Sequence, residues 1–118
     1  MQPKKEMPTM ITNDRPIEQL FIWLLTKTRG GKTRTQIIQT LKITPKNTNQ
    51  LAVYLNKSYK TISHHITVLE KNKLIVPIGD TYATTYFLSS PMEANYQLFK
   101  QVTSKSNQAK KKLKVLQR

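Results

Sequence analysis

The chain has 118 residues, of which 20 are lysine or arginine and 6 are aspartate or glutamate, so its formal net charge is +14. This length fits one small domain with tails, and the charge predicts a polyanionic partner, which is nucleic acid or an acidic membrane surface. The absence of cysteine excludes disulfides and thiolate metal sites, and no apolar run reaches the roughly 18 residues of a membrane span.

The N-terminal part of the chain predicts a flexible basic arm followed by a helix. Residues 1–13 contain two prolines and scattered charge, and they lack the apolar core of a signal peptide. A helix follows from Asp14 to about Thr28 and ends at the glycine pair 30–31. Seven of its residues from 17 to 25 are apolar, which is more than one core can cover. We therefore expect a second subunit against this helix.

The middle of the chain predicts three helices and a hairpin. The turn between the third and fourth helices is Asn56-Lys57, and Gly79-Asp80-Thr81 joins the two strands. The predicted elements are a helix over Thr33–Lys42, a third helix that Asn47 or Thr48 caps, a fourth helix that Ser58 caps, and strands over Leu74–Ile78 and Tyr82–Leu88. A short strand after Ile43 is also compatible with the sequence.

The fourth helix has two chemically different faces. At 3.6 residues per turn, Ile62, His65, Ile66 and Leu69 share one side. The opposite side carries hydroxyls, an imidazole and cations and no carboxylate: Lys60, Ser63, His64, Thr67 and Lys71. A helix that lies in a nucleic-acid groove avoids negative charge and offers hydrogen-bonding side chains. The other explanation is an ordinary solvated face.

The segment LAVYLNKSYKTISHHITVLEKNKLI resembles the helix-turn-helix of ArsR-type winged-helix transcription regulators, particularly archaeal ones. The resemblance rests on Ser58, Thr61, Ile62, Ser63, His65, Ile66 and Leu69 and covers residues 32–88. Lys73 stands where a glycine is common in that family. The resemblance implies a mainly α fold with a small β-hairpin wing, and binding of double-stranded DNA as a homodimer. The thiolate metal sensing of that family cannot apply to a chain without cysteine.

The candidate DNA contacts follow from the helix face, from the resemblance and from the basic run between residues 27 and 46. The family pattern places base contacts on the start of the recognition helix, and lysines and arginines supply phosphate anchoring. The candidates are Lys32, Arg34, Lys46, Lys57, Ser58, Tyr59, Lys60, Thr61, Ser63, His64, Thr67, Thr81 and Tyr82. The wing tip carries Asp80, which would repel phosphate, so the wing contributes little or acts through Thr81 and Tyr82.

The sequence predicts neither a metal site nor catalysis. His64 and His65 diverge by about 100° on a helix, so they cannot easily share one ion. We expect His65 to lie at the edge of the core and to donate to a backbone carbonyl. The six acids are spread singly, without a paired carboxylate or a nucleophile triad. We therefore expect no cofactor and no enzymatic activity, and a cytoplasmic, nucleoid-associated protein with no membrane partner.

The C-terminal part predicts one more helix after Pro91 and a basic tail that is a DNA arm or disordered. The expected division is an arm over 1–13, a winged helix-turn-helix domain over 14–90 that includes the N-terminal helix, and a dimerisation helix with tail over 91–118. Two apolar stripes at opposite ends of the chain predict a homodimer interface. Its residues are Ile17, Leu20, Phe21, Trp23, Leu24, Met92, Tyr96, Phe99 and Val102.

Three functions remain open at this point. The first is sequence-specific binding of double-stranded DNA as a homodimer, in transcriptional regulation. The second is an architectural, chromatin-like protein that uses the same surface with little sequence preference. The third is a winged-helix protein-interaction module with basic tails, for which the wing-tip aspartate and the apolar first helix leave room.

Overall fold

A computed structural model describes residues 16–80 and 83–116. The helices are α1 (residues 16–21, continued by the π-helical segment Ile22–Lys27), α2 (Gly31–Ile43), α3 (Thr48–Leu55), α4 (Tyr59–Lys71), α5 (Ser90–Ala94) and α6 (Tyr96–Leu116). The strands are β1 (Ile75–Ile78) and β2 (Thr85–Leu88). This mainly helical chain with one hairpin is a winged helix, as the sequence predicts. The expected arm over residues 1–13 and the cap Asp14 lie outside the described residues.

The chain divides into two compact units. One consists of the chain up to Thr28 together with the chain from Gln97 onward, and the other is Arg29–Tyr96. The helix-turn-helix and the hairpin both belong to the second unit. The sequence-based division instead assigned residues 14–28 to the winged-helix domain.

In the first unit, two aromatic rings meet between the N-terminal helix and α6. The Phe21 and Phe99 ring centroids are 6.2 Å apart and the rings are nearly perpendicular, which is a favourable edge-to-face arrangement. Neither side chain is exposed to solvent. The π-helical segment that follows Phe21 ends where the amide of Thr28 donates to the carbonyl of Trp23 at 3.2 Å. Trp23 itself is 57% exposed.

This burial changes the basis of the expected dimer interface. Phe21, Leu24, Met92, Phe99 and Val102 are already buried within one chain, so they need no second subunit to cover them. The inference from two exposed apolar stripes therefore does not hold for these five side chains, because they are already buried within one chain. Ile17, Leu20 and Tyr96 are half-buried, and Trp23 remains exposed. The dimer itself stays a prediction.

In the second unit, helices α2, α3 and α4 and the strands each contribute to one apolar core. The helices carry their apolar residues three and four positions apart, as a one-sided core requires. The core residues of this unit are Ile37, Ile38, Leu41, Leu51, Ala52, Ile62, Ile66, Leu69, Leu74, Ile75, Leu88 and Met92. The predicted inward face of α4 is confirmed.

Side-chain caps fix where the helices of the second unit begin and end. Asn47 caps α3 by a reciprocal pair with Gln50, in which each side chain accepts from the backbone amide of the other residue, at 2.7 and 2.9 Å. Asn56 ends α3 at φ 58°, a left-handed conformation that asparagine tolerates. Lys73 also has a positive φ of 63°, at the position where a glycine is common in the family that the sequence resembles.

The hairpin is shorter than the sequence predicts. Ile75 pairs with Leu88 and Ile78 with Thr85 in antiparallel register, so the second strand begins three residues later than expected. The amide of Tyr86 also donates to the carbonyl of Lys46 at 2.9 Å. In place of the short strand expected after Ile43, the structure has this single bridge between Lys46 and Tyr86.

The C-terminal helix is interrupted once. Ser89 caps α5, its hydroxyl accepting from the Met92 amide at 3.2 Å, and Asn95 then separates α5 from α6. The sequence predicted a single helix after Pro91, and this prediction was wrong because the segment forms two helices. The cause is local, because the amide of Asn95 folds back to the carbonyls of Pro91 and Met92. Helix α6 runs on to Leu116.

We predict that Phe99→Ala lowers the free energy of unfolding by about 3–5 kcal/mol, because it removes a fully buried aromatic ring from the Phe21 contact. Lys100→Ala, at the exposed neighbouring position on α6, is the matched control and should change it by less than about 0.5 kcal/mol. Chemical denaturation followed by circular dichroism measures both. Equal effects would mean that the ring pair does not support the fold.

Candidate nucleic-acid interface

The exposed face of α4 is the most concentrated group of polar donors in the second unit. The predicted outer residues Lys60, His64, Thr67 and Lys71 are exposed, and Ser63 is half-buried. Tyr59 is 58% exposed at the start of the helix. Glu70 is also exposed, but it lies in the last turn. The first three turns therefore present a surface of cations, an imidazole, a phenol and hydroxyls without a carboxylate.

Three hydroxyls in this region already have partners within the helix. Ser58 Oγ accepts from the Thr61 amide at 3.0 Å and donates to Thr61 Oγ1 at 2.9 Å. Thr67 Oγ1 donates to the Ser63 carbonyl at 3.0 Å. Ser58 therefore acts as the helix cap that the sequence predicts. The donors best placed for an external partner are those of Tyr59, Lys60 and His64, with Ser63 beside them.

One predicted phosphate anchor is buried beneath α4 instead. Arg34 is only 4% exposed, and its Nη1 donates to His65 Nδ1 at 3.1 Å while its Nη2 donates to the Arg29 carbonyl at 3.1 Å. The assignment of Arg34 to the DNA contacts was therefore wrong. The expectation that His65 donates to a backbone carbonyl was also wrong for Nδ1, because the nitrogen that faces a guanidinium must accept.

Gly30 makes this contact possible. Its φ is +88°, and a β-carbon there would lie 2.5 Å from His65 Cε1 and 2.9 Å from Arg34 Nη1. Only glycine fits both the conformation and the space. The sequence indicated a glycine pair that ends a helix, but it gave no sign that a histidine 35 positions later packs against the same glycine.

The environment of His65 keeps its imidazole neutral. The pKa of His65 is lowered from 6.5 to about 4, mainly by burial and to a smaller extent by the nearby Arg34, His64 and Lys57. Burial also lowers the pKa of the Arg34 guanidinium. At neutral pH the Nδ1 lone pair of His65 is thus available to Arg34, and α4 is joined to the start of α2.

The other predicted anchors lie on different parts of the second unit. Lys32 and Lys57 are exposed. Lys46 is half-buried, with its Nζ 5.1 Å from the centre of the Tyr54 ring, a cation–π distance. Lys42 instead pairs with Glu93 at 2.6 Å, which reduces its availability for phosphate. Lys32, Lys46 and Lys57 remain candidates for backbone contacts.

At the wing, Asp80 shapes the turn. Its Oδ1 accepts from the Ala83 amide at 3.0 Å, and its carbonyl accepts from the same amide and from the Thr84 hydroxyl. Gly79 has φ +114°, and a β-carbon there would collide with the Ala83 carbonyl. The aspartate is therefore a turn residue as well as a source of negative charge. The candidates Thr81 and Tyr82 lie outside the described residues.

Within residues 16–80 and 83–116, no cluster of three or more histidine or carboxylate groups is arranged to hold a metal ion. In the same part of the chain, no helix combines the length and apolarity that crossing a membrane requires.

Residues 24–87 match the family described as "Methanogenesis regulatory protein FilR1, N-terminal domain". The match covers more than half of the chain and includes α2, α3, α4 and the hairpin. No curated protein is similar enough in sequence to match.

Similar solved structures are winged-helix transcription regulators. HlyU from Vibrio cholerae N16961 is 18% identical with a TM-score of 0.57, and the alignment covers 75% of this chain and 94% of HlyU. A MarR transcriptional regulator from Methanosarcina mazei Go1 is 17% identical with a TM-score of 0.61, covering 92% of this chain and 76% of that chain. At such identities the likeness establishes the fold.

We predict that the burial of His65 beside Arg34 makes the stability of the chain depend on pH. The unfolded histidine gains a proton as pH falls through 6.5, whereas the folded one resists protonation down to about 4, so the contribution is complete above 6.5 and is lost below it. Lowering the pH from 7 to 5 should therefore reduce the free energy of unfolding by about 2 kcal/mol through this residue.

His65→Asn keeps an oxygen near the Nδ1 position and cannot titrate, so its stability should fall less over the same pH interval. His64→Asn, at the exposed neighbour, is the matched control; it removes only one of the smaller causes of the lowered pKa and should keep a slope close to that of the wild type. Denaturant unfolding at several pH values gives both curves. Parallel curves for the two variants would show that His65 titrates normally.

Proposed function

The chain belongs to the family of the N-terminal domain of the methanogenesis regulatory protein FilR1, and from that premise we propose that it is a transcriptional regulator that binds specific sequences of double-stranded DNA as a homodimer. The observation that carries the proposal is the exposed face of α4, where Tyr59, Lys60, Ser63 and His64 stand together without a carboxylate. A cationic, donor-rich helix surface of this width fits the major groove.

The two kinds of contact have separate tasks. Lys32, Lys46 and Lys57 neutralise phosphates and position the domain, which supplies affinity without sequence information. Lys60 has the reach for guanine O6 or N7, and the Ser63 hydroxyl can donate or accept at a base edge. His64 offers one donor and one acceptor when neutral. Sequence preference therefore rests on a short row of side chains near the start of α4.

Within winged-helix regulators, we propose an ArsR-type protein of archaeal kind. The support is the row of residues Ser58, Thr61, Ile62 and Ser63 at the start of the recognition helix, together with its continuation to Leu69. The chain has no cysteine for a thiolate sensor, so the signal would be of another kind. The place of action would be the cytoplasm, on the nucleoid.

For the homodimer, Trp23 is the main support. It is 57% exposed, although it is the largest apolar side chain on its helix, and Ile17 and Leu20 are half-buried nearby in sequence. A two-fold pair of domains would place two recognition helices about 34 Å apart, which is one turn of duplex DNA. The expected sites are therefore pseudo-palindromic.

We predict that Lys60→Ala and Ser63→Ala relax the preference at particular base pairs by about 1–3 kcal/mol. Lys32→Ala, at an exposed lysine on α2, should weaken all sequences alike. Selection of bound fragments from random duplex DNA, repeated with each variant, gives the preferences. If all three variants lower affinity uniformly, the architectural alternative replaces regulation.

We also predict a steep salt dependence on duplex DNA. If each subunit makes about three to five phosphate contacts, log affinity falls with log salt at a slope of roughly −5 to −9. A slope shallower than about −2 would favour the protein-interaction alternative. Fluorescence anisotropy with a labelled duplex measures this slope.

For assembly, we expect a dimer mass by sedimentation equilibrium at micromolar concentration and a monomer mass for Trp23→Asp. Trp23 is suitable for this test because it is exposed, whereas a charge at buried Phe99 would unfold the chain. Ile43→Asp, at another exposed apolar residue, is the matched control and should remain a dimer. A monomeric wild-type chain would contradict the proposal.

A further inference from the structure

Helix α3 has an apolar outer surface that the fold and the DNA proposal leave unexplained. A shallow groove of 360 Å³ lies along it, and its lining residues are Lys46, Asn49, Gln50, Val53 and Tyr54. Val53 is 77% exposed and Tyr54 is 65% exposed. We refer to these five residues as the α3 groove. Single exposed apolar residues are common, but here two adjacent large ones line the same depression.

The α3 groove is not needed to hold α3 in place. The helix packs into its own unit through Leu51 and Ala52, which are buried, and its first turn is capped by Asn47. Positions 49, 50, 53 and 54 form the opposite side of the helix, where polar or charged residues would serve solubility better. Val53 and Tyr54 thus stay in contact with water unless another molecule covers them.

The properties of the groove narrow the choice of partner. The polar residues that line the groove carry donors for phosphate, but DNA would leave the exposed Val53 side chain and Tyr54 ring without an apolar partner. A second copy of this chain is also disfavoured, because a stable dimer covers about 800 Å² on each partner, far more than five residues supply. Residues 29–96 moreover carry nine cations and three acids, so a second copy offers few carboxylates to pair with Lys46. An acidic segment would be attracted.

We propose that the α3 groove binds a short acidic segment of another protein that carries at least one large apolar side chain. The apolar side chain covers Val53 and the Tyr54 ring, and a carboxylate of the segment pairs with Lys46, the one charged residue that lines the groove. The ammonium of Lys46 already stands 5.1 Å from the centre of the Tyr54 ring. The amides of Asn49 and Gln50 can hydrogen-bond the backbone of the segment.

This site is on α3, whereas the proposed base contacts are on α4. Lys46 is the one residue that the two proposals share, so Val53→Asp, which alters no proposed DNA contact, tests the groove separately from DNA binding. If both hold, a domain bound to its DNA site would recruit a second protein through the groove. The partner's carboxylate would compete with phosphate for Lys46, whereas its apolar side chain would cover Val53, which offers no hydrogen bond to a phosphate.

The test begins with selection of 12-residue peptides from a random displayed library against the full chain. Peptides that contain at least two acidic residues and one large apolar residue are the expected outcome. One selected peptide is then synthesised together with a copy in which amides replace its carboxylates. Anisotropy titration should show that the amide copy binds at least about tenfold more weakly.

The variants locate the site. Val53→Asp should weaken the peptide by at least about tenfold, and Lys46→Gln by about three- to tenfold with a smaller salt dependence. Ile43→Asp makes the same change at an exposed apolar residue outside the groove and should leave affinity unchanged. Circular dichroism of each variant confirms that it is folded.

Several results would overturn the proposal. These are a selection that yields no peptide with Kd below about 100 μM, selected peptides without acidic residues, and equal effects of Val53→Asp and Ile43→Asp. A loss of duplex affinity in Val53→Asp as large as in Lys60→Ala would assign the groove to DNA. A fall in sedimentation mass for Val53→Asp would assign it to a second copy of the chain.

Discussion

The contact between Arg34 and His65 is the constraint on which the proposed DNA-reading surface depends. Both side chains are buried, so the hydrogen bond at 3.1 Å is made where an unpaired donor or acceptor is costly. It exists because Gly30 leaves space for the imidazole and the guanidinium. His64, one residue earlier in the chain than His65, is exposed on the same helix. A shift of His65 would therefore move the exposed donors of α4. The start of α2 thus fixes the orientation of α4 about its own axis.

Local signals in the sequence predicted much of this fold, because short-range chemistry determines those features. The Ser58 cap, the Asn56 turn and the inward residues of α4 depend on neighbours within four positions, and each was confirmed. The hairpin was also found, although its second strand was predicted too long. Asp80 and Gly79 shape its tip. The prediction for this tip considered only the negative charge of Asp80.

Two of the wrong predictions concern contacts between residues distant in sequence. Arg34 belongs to a run of cations, and from composition it is indistinguishable from Lys32. Only the burial of His65 beside it shows that its charge is turned inward. The apolar stripes at the chain ends were assigned to an interface for the same reason, since nothing in either stripe alone indicates the Phe21–Phe99 contact. Long-range pairing of this kind leaves no periodic signal in one sequence.

The helix-turn-helix carries different chemistry on its two helices, and the difference limits what each can bind. On α4 the hydroxyls of Ser58 and Thr67 make hydrogen bonds within the helix, so the proposed base selection would rest on Lys60, His64 and their neighbours. A few flexible contacts give modest discrimination, of about 1–3 kcal/mol each. A second half-site, or a protein held on the apolar side of α3, would add to it. The burial of the Arg34 charge serves the same end, since it removes one cation that would otherwise strengthen binding to any sequence alike.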